Sequence, residues 1–91
     1  MAVKVRVPGP LRRLTSGESL VEVDGATVGE VLDALEKQYP GFRERIYDDQ
    51  GNLRQFVNIY KNDEDIRFGE GLKTALAEGD DLSIVPAVAG G

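Results

Sequence analysis

The chain has 91 residues, eleven Lys and Arg against sixteen Asp and Glu, and a formal net charge of −5, which suits one domain with a single modest core. It has no cysteine and no histidine, so a disulfide framework, a thiolate metal site, a thiol nucleophile and imidazole proton transfer are all excluded. Its cations are scattered, and an acidic surface of this kind repels phosphate backbones, so no nucleic-acid partner is expected.

The start, Met1 to Val7, alternates apolar and basic residues, the period of a strand with one buried face. It lacks the continuous apolar segment of a secretory signal, and no apolar run approaches a membrane span, so a cytoplasmic location is expected. Pro8, Gly9 and Pro10 stop the strand, a polar loop passes through Thr15, Ser16 and Gly17, and Leu20 to Val23 reads as a second strand. The two are expected to form an antiparallel hairpin. Thr27 followed by Glu30 is a capping box, in which hydroxyl and carboxylate each satisfy an orphaned amide. Val28, Val31, Leu32 and Leu35 then recur at helical spacing, Tyr39 extends the stripe, and Pro40-Gly41 ends the helix.

Phe42 to Tyr47 is expected as an irregular turn, and Asp48 to Asn52 as a polar connector. Leu53 to Tyr60 is the longest strand candidate: Val57 and Ile59 would face the helix, and Phe56, Asn58 and Tyr60 the opposite side. Asn62 to Asp65 reads as an acidic turn, Ile66 to Phe68 as a short edge segment, and Leu72, Ala75 and Leu76 as a small apolar turn. Gly79-Asp80 precedes a last strand, Asp81 to Val85, closed by Pro86. One amphipathic helix and one mixed sheet can bury each other as two layers, with the first and last strands parallel. The expected class is α+β, a ubiquitin-like β-grasp over residues 1–86, followed by a tail over residues 87–91.

That tail carries the chemistry. Taken as the C-terminus of the protein, Ala87-Val88-Ala89-Gly90-Gly91 follows directly from a strand and extends roughly 15–20 Å, enough to thread a partner's channel while the body stays outside. Glycine lacks Cβ, so a narrow channel can close around it, and Gly91 leaves its acyl carbon unhindered. A carboxylate with a reference pKa of about 3.5 is ionised at neutral pH and a poor electrophile. It needs activation, most simply adenylation by ATP, after which sulfide or a persulfide would yield a thiocarboxylate. The activating enzyme would supply the ATP site and metal, and the carrier only the acyl group.

The order of elements and the ending Val-Ala-Gly-Gly resemble the MoaD and ThiS family of prokaryotic sulfur carriers. The stretch from Phe56 to Phe68 and the tail Ile84 to Gly91 are similar to the branch of that family that serves cysteine synthesis. The resemblance implies a MoeB/ThiF-like enzyme that uses ATP and Mg to adenylate and sulfurate Gly91. It also implies a pyridoxal-phosphate-dependent cysteine synthase that takes the sulfur onto an O-phosphoserine-derived aminoacrylate, and a zinc metallopeptidase that releases cysteine. Gly91 maps to the reacting residue, and Ala87, Val88, Ala89 and Gly90 to the part that enters partner sites. No cofactor would be bound by the carrier, which would be a protein co-substrate rather than an enzyme.

Phe56, Tyr60 and Val85 are candidates for a docking patch on the open sheet face, against the alternative that they are core or singly exposed residues. Asp63, Glu64 and Asp65 lack the spacing and glycine of a calcium loop and read as a solvated turn. Asp80-Asp81 reads as turn chemistry, and Lys4, Arg6 and Arg54 as stems covering the sheet face. Other customers for the same carboxylate stay open: molybdopterin synthase, thiazole or thiosugar formation, or lysines of target proteins. A passive β-grasp module with an incidental tail is the remaining alternative.

Overall fold

The structure, a computed structural model, describes residues 2–54 and 57–86. β1 (Ala2–Arg6) and β2 (Leu20–Asp24) form the expected antiparallel hairpin, with Val5 opposite Val21 and Val3 opposite Val23. Those four valines are buried, while Lys4, Arg6, Glu22 and Asp24 face solvent. The connection is more ordered than a polar loop. Pro8, in the extended region, leads into a 3-10 segment, Gly9–Thr15, which ends at Ser16 in a left-handed conformation. The segment tucks Leu11 and Thr15 into the core, and the Thr15 hydroxyl is satisfied by donating to the Glu18 carbonyl at 2.7 Å.

α1 (Val28–Gln38) starts at Thr27, whose hydroxyl accepts from the Glu30 amide at 3.2 Å. The returning Glu30 carboxylate takes the amide of Ala26, one residue before the cap, so the box closes one position earlier than the motif describes. Val28, Val31, Leu32 and Leu35 are buried against the sheet, each stabilising the fold by about 1.5–3 kcal/mol. Phe42 to Tyr47 is not an irregular turn: Phe42–Ile46 is a short helix, α2, that buries Phe42 and Ile46. The cause lies upstream, where the Glu36 carboxylate accepts from the amides of Gly41 at 3.1 Å and Arg43 at 2.6 Å. It caps α2 from the last turns of α1.

β3 runs over Val57–Lys61, shorter than the run from Leu53 in the expected strand. Leu53 makes only an isolated bridge to Tyr47. Arg54 is turned to the Glu44 carbonyl, not laid on the sheet as expected. Asn62 and Asp63, both with positive φ, form a two-residue turn into β4 (Glu64–Asp65), so part of the acidic stretch is strand. Two 3-10 turns, Ile66–Phe68 and Gly71–Lys73, lead on to β5 (Asp81–Pro86).

The sheet order is β2-β1-β5-β3-β4. β5 lies parallel to β1 and antiparallel to β3, which puts the last strand in the middle of the sheet. α1 and α2 cover one face, where Val3, Val5, Val21, Val57, Ile59, Leu82 and Ile84 meet Leu35, Phe42 and Ile46 in one core. The other face carries Lys4, Arg6, Glu22, Asn58, Tyr60, Asp81, Ser83 and Val85, none of them buried. A mixed five-stranded sheet with its helix on one side is the ubiquitin-like β-grasp.

Candidate functional site

The centre of the candidate site is the end of β5. Its last pairings are Asn58 with Val85 and Val57 with Pro86. On the other side, β1 holds it through the pairs Lys4 with Asp81, Val5 with Leu82 and Arg6 with Ser83. Leu82 and Ile84 anchor its inner face in the core. Chain leaving Pro86 therefore departs from a strand held by β3 up to Pro86, by β1 up to Ser83, and by the core underneath.

Around that exit lies a hollow of about 420 Å³ lined by Arg6, Val7, Pro8, Pro10, Arg12, Ser83, Ile84 and Val85. The Pro8–Pro10 corner that stops β1 supplies one wall, and the exposed side of β5 the other. Arg12 is fixed by donating through Nε to the Val7 carbonyl at 3.1 Å. Arg6 forms a two-pronged pair with Asp81, 3.0 Å on each arm, on an exposed face where such a pair contributes at most about 1 kcal/mol. The site is thus an apolar notch edged by two guanidinium groups.

Tyr60 and Val85 share the open sheet face. They are not cross-strand partners: Tyr60 lies opposite Ser83 and Asp65, and Val85 opposite Asn58. Tyr60 is half-buried and Val85 is 42% exposed. Ser83 and the Arg6–Asp81 pair lie beside them, so this face is a charged surface with an apolar spot, not an apolar sheet. Phe56, Ala87, Val88, Ala89, Gly90 and Gly91 lie outside the described residues.

Asp80 behaves as turn chemistry. Its carboxylate accepts from the Ala77 amide at 2.7 Å and from the Asn62 side-chain amide at 3.1 Å. These bonds, the Ala77 one foremost, hold its carboxyl below the usual carboxylate range, with Lys61 adding to the effect. Among the described residues, no group of three or more Asp or Glu is placed to hold a metal ion, and no helix is long and apolar enough to cross a membrane.

Two residues escape a reading of the sequence. Arg67 donates from Nη1 to Asn58 Oδ1 at 2.9 Å and from Nη2 to the carbonyls of Arg54 at 2.7 Å and Val57 at 2.8 Å. It ties down the approach to β3. Phe68, expected in an edge segment, projects into solvent with 92% of its surface exposed. Its neighbour Ile66, two residues earlier and just as apolar, is buried, and no sequence period distinguishes the two.

A central last strand, a one-sided helix layer and a notch at the strand's exit define a β-grasp body. The chain belongs to the ThiS family, whose profile matches residues 5–91. It is similar to the sulfur carrier protein CysO of Mycobacterium tuberculosis, with 50% identity over 93 residues and 100% of both chains covered. A chain of the crystal structure of the Amycolatopsis orientalis BexX/CysO complex superposes with a TM-score of 0.91 at 47% identity, over 99% of this chain and 100% of that one. SAMP1 from Haloferax volcanii matches over 100% of both chains, with a TM-score of 0.84 at 33% identity.

Proposed function

We propose that the chain is a sulfur carrier whose Gly91 carboxylate is the working group. The carboxylate oxygen attacks the α-phosphorus of ATP and pyrophosphate leaves. Sulfide then attacks the acyl carbon, AMP leaves, and a thiocarboxylate remains. A MoeB/ThiF-like enzyme supplies the ATP and Mg site. A pyridoxal-phosphate-dependent cysteine synthase is the acceptor, adding the sulfur to the aminoacrylate formed from O-phosphoserine, and a zinc metallopeptidase frees the cysteine.

The observation that carries this reading is the position of β5. A partner that draws residues 87–91 into a channel pulls on a strand held by two ladders and by Leu82 and Ile84. Sulfur delivery needs such a root, because the acyl carbon must stay within about 3–3.5 Å of its nucleophile for attack. Full-length likeness to a sulfur carrier protein supports the same reading.

Intact mass after incubation with ATP, sulfide and the activating enzyme is the test. Replacement of one oxygen by sulfur adds about 16 Da. Capping Gly91 as an amide abolishes the gain. No gain on the uncapped chain with its activating enzyme would overturn the reading. A second reading, attachment of Gly91 to lysines of other proteins, is favoured by the likeness to SAMP1, a small archaeal modifier. It predicts chain-sized mass increments on lysine side chains in place of a free thiocarboxylate.

A further inference from the structure

The notch beside β5 is a sheet position that β1 leaves unfilled. Next after the Lys61–Leu82 pair, the Asn62 amide donates to the Asp81 carbonyl at 2.9 Å. Antiparallel alternation then turns the backbone polar groups of Asp81, Ser83 and Val85 toward β3, and those of Leu82 and Ile84 toward β1. On that side the Lys4 amide donates to the Asp80 carbonyl at 2.9 Å. A parallel ladder advances by two residues, so residue 6 is the donor for the Leu82 carbonyl and residue 8 for that of Ile84. Residue 8 is Pro8, which has no amide hydrogen, and the Val7 amide is turned away to the Ser19 carbonyl at 2.9 Å. The Ile84 carbonyl therefore faces the notch with no donor from β1.

The lining of the notch is apolar at Val7, Pro8 and Pro10, and it holds two cations and no acid among the described residues. Arg6 is balanced by its two-pronged pair with Asp81. Arg12 is exposed, commits only Nε to the Val7 carbonyl, and makes no ion pair among the described residues. An occupant suited to this lining has an apolar body, a backbone amide to offer and a negative charge at its end.

The chain's own residues 87–91 have that chemistry. Ala87-Val88-Ala89 is apolar, Gly90-Gly91 offers amides with no side chain to obstruct them, and Gly91 ends in a carboxylate on the carrier reading. The root of this segment is the rim of the notch, because Pro86 follows Val85, which lines it. A turn of about four residues, Pro86 to Ala89, returns Gly90 and Gly91 alongside Val85 and Ile84. So short a tether brings the segment to the notch at an effective concentration on the order of millimolar. A separate protein, or a second copy, has to outcompete it.

We infer that the tail has a seat on its own body: residues 87–91 fold back into the notch, the Gly91 amide donates to the Ile84 carbonyl, and the Gly91 carboxylate lies against Arg12. The inference rests on the carrier reading, in which Gly91 is the terminal acyl group, and adds a step before activation. The seat is vacated when a partner draws the tail out, and between turnovers it withholds the carboxylate from exopeptidases.

The full chain is compared by NMR with the same chain capped as the Gly91 amide, and release of Gly91 by a carboxypeptidase is timed for wild type, Arg12→Gln and Arg12→Lys. Capping should shift the amide signals of Val7 and Arg12, far from Gly91 in sequence, and the uncapped chain should show cross-peaks between Gly91 and the rings of Pro8 and Pro10. Arg12→Gln should speed release about two- to fivefold, the range that an exposed ion pair allows. Arg12→Lys should restore slow release, because it keeps the charge while losing the Nε bond to the Val7 carbonyl. Signals of Val7 and Arg12 that do not move on capping overturn the inference, as do equal release rates for wild type and Arg12→Gln. Shifts that fade on dilution put the tail in a second copy's notch and overturn it too. The carrier reading fails separately: a seated tail on a chain that gains no sulfur would retain the seat and remove the sulfur chemistry.

Discussion

Replacement of Arg67 by alanine should cost this domain about 2 kcal/mol. The guanidinium bonds the carbonyls of Arg54 and Val57 and the side chain of Asn58, at 2.7–2.9 Å. It therefore holds both ends of the segment that delivers the chain into β3. Hydrogen bonds to a charged group contribute about 1.5–3 kcal/mol each when shielded. Two of these three are exposed and only the Val57 bond is partly buried, so solvent screening removes most of the naive sum. For a domain of this size the loss corresponds to a fall in Tm of about 8–16 °C. Urea unfolding followed by circular dichroism reads it as a lower midpoint at constant m-value. Arg67→Lys should recover less than half, because an ammonium cannot span three acceptors in one plane. A loss below about 0.5 kcal/mol for Arg67→Ala would refute the clamp and leave Arg67 a solvated residue with well-placed neighbours.

Other perturbations test other joints. Gly25→Ala would place a Cβ 2.6 Å from Val31 Cγ2 and 2.8 Å from the Val31 amide nitrogen, forcing β2 and α1 apart; the expected loss is about 1–3 kcal/mol in urea unfolding. Gly41→Ala meets two penalties, a φ of 116° and a Leu14 methyl at 2.8 Å, and should lower the melting temperature by several degrees, about 1–3 kcal/mol. Asp80 links stability to pH: its native pKa is depressed, so its contribution is fully present above the unfolded pKa of about 3.9 and is lost as pH falls through the lower native value. Asp80→Ala should thus be less stable than wild type at pH 6, with the gap closing as the pH falls below the unfolded value, and parallel pH–stability curves would contradict the assignment.

The fold was legible where the signal is local. Alternation in β1, the Thr27–Glu30 box and the Val28–Leu35 stripe each depend on residues within a turn or two of one another, and the structure places the first and third as expected and the Thr27 cap with them, only the Glu30 return bond shifting to Ala26. α2 was not legible, because Glu36 caps it from another helix and no property of residues 42–46 announces that contact. That the strand expected from Leu53 does not include Leu53 and Arg54 has a similar cause, since Arg54 is drawn to Ile46 and Glu44 across the connection. Of the site, the tail is entirely a sequence feature, read from Ala87 to Gly91. The open sheet face was less visible: alternation gave the face of Tyr60 and Val85 correctly, but not that Arg6 and Asp81 pair beside them or that Phe68 stands free.

The mechanical argument follows from strand order. Had β5 been an edge strand, tension on residues beyond Pro86 would open one ladder at a time, each step costing only about 0.5–1.5 kcal/mol of net hydrogen bonding. Here its last three residues are held by β3 and by Ile84 in the core, and beyond them Asp81–Ser83 yield only if two ladders part together while Leu82 leaves the core; Leu82 and Ile84 alone add about 3–6 kcal/mol. The ladder to β3 reaches Pro86 itself, whereas the ladder to β1 ends at Ser83, so the last residues before the tail are held on one edge and open on the other. That open edge faces the notch formed by Pro8, Pro10 and Arg12. On the proposed function, a partner that takes the tail meets the backbone of Ile84 and Val85 along this open edge without disturbing the core, so that one strand is both the root of the tail and the surface beside it.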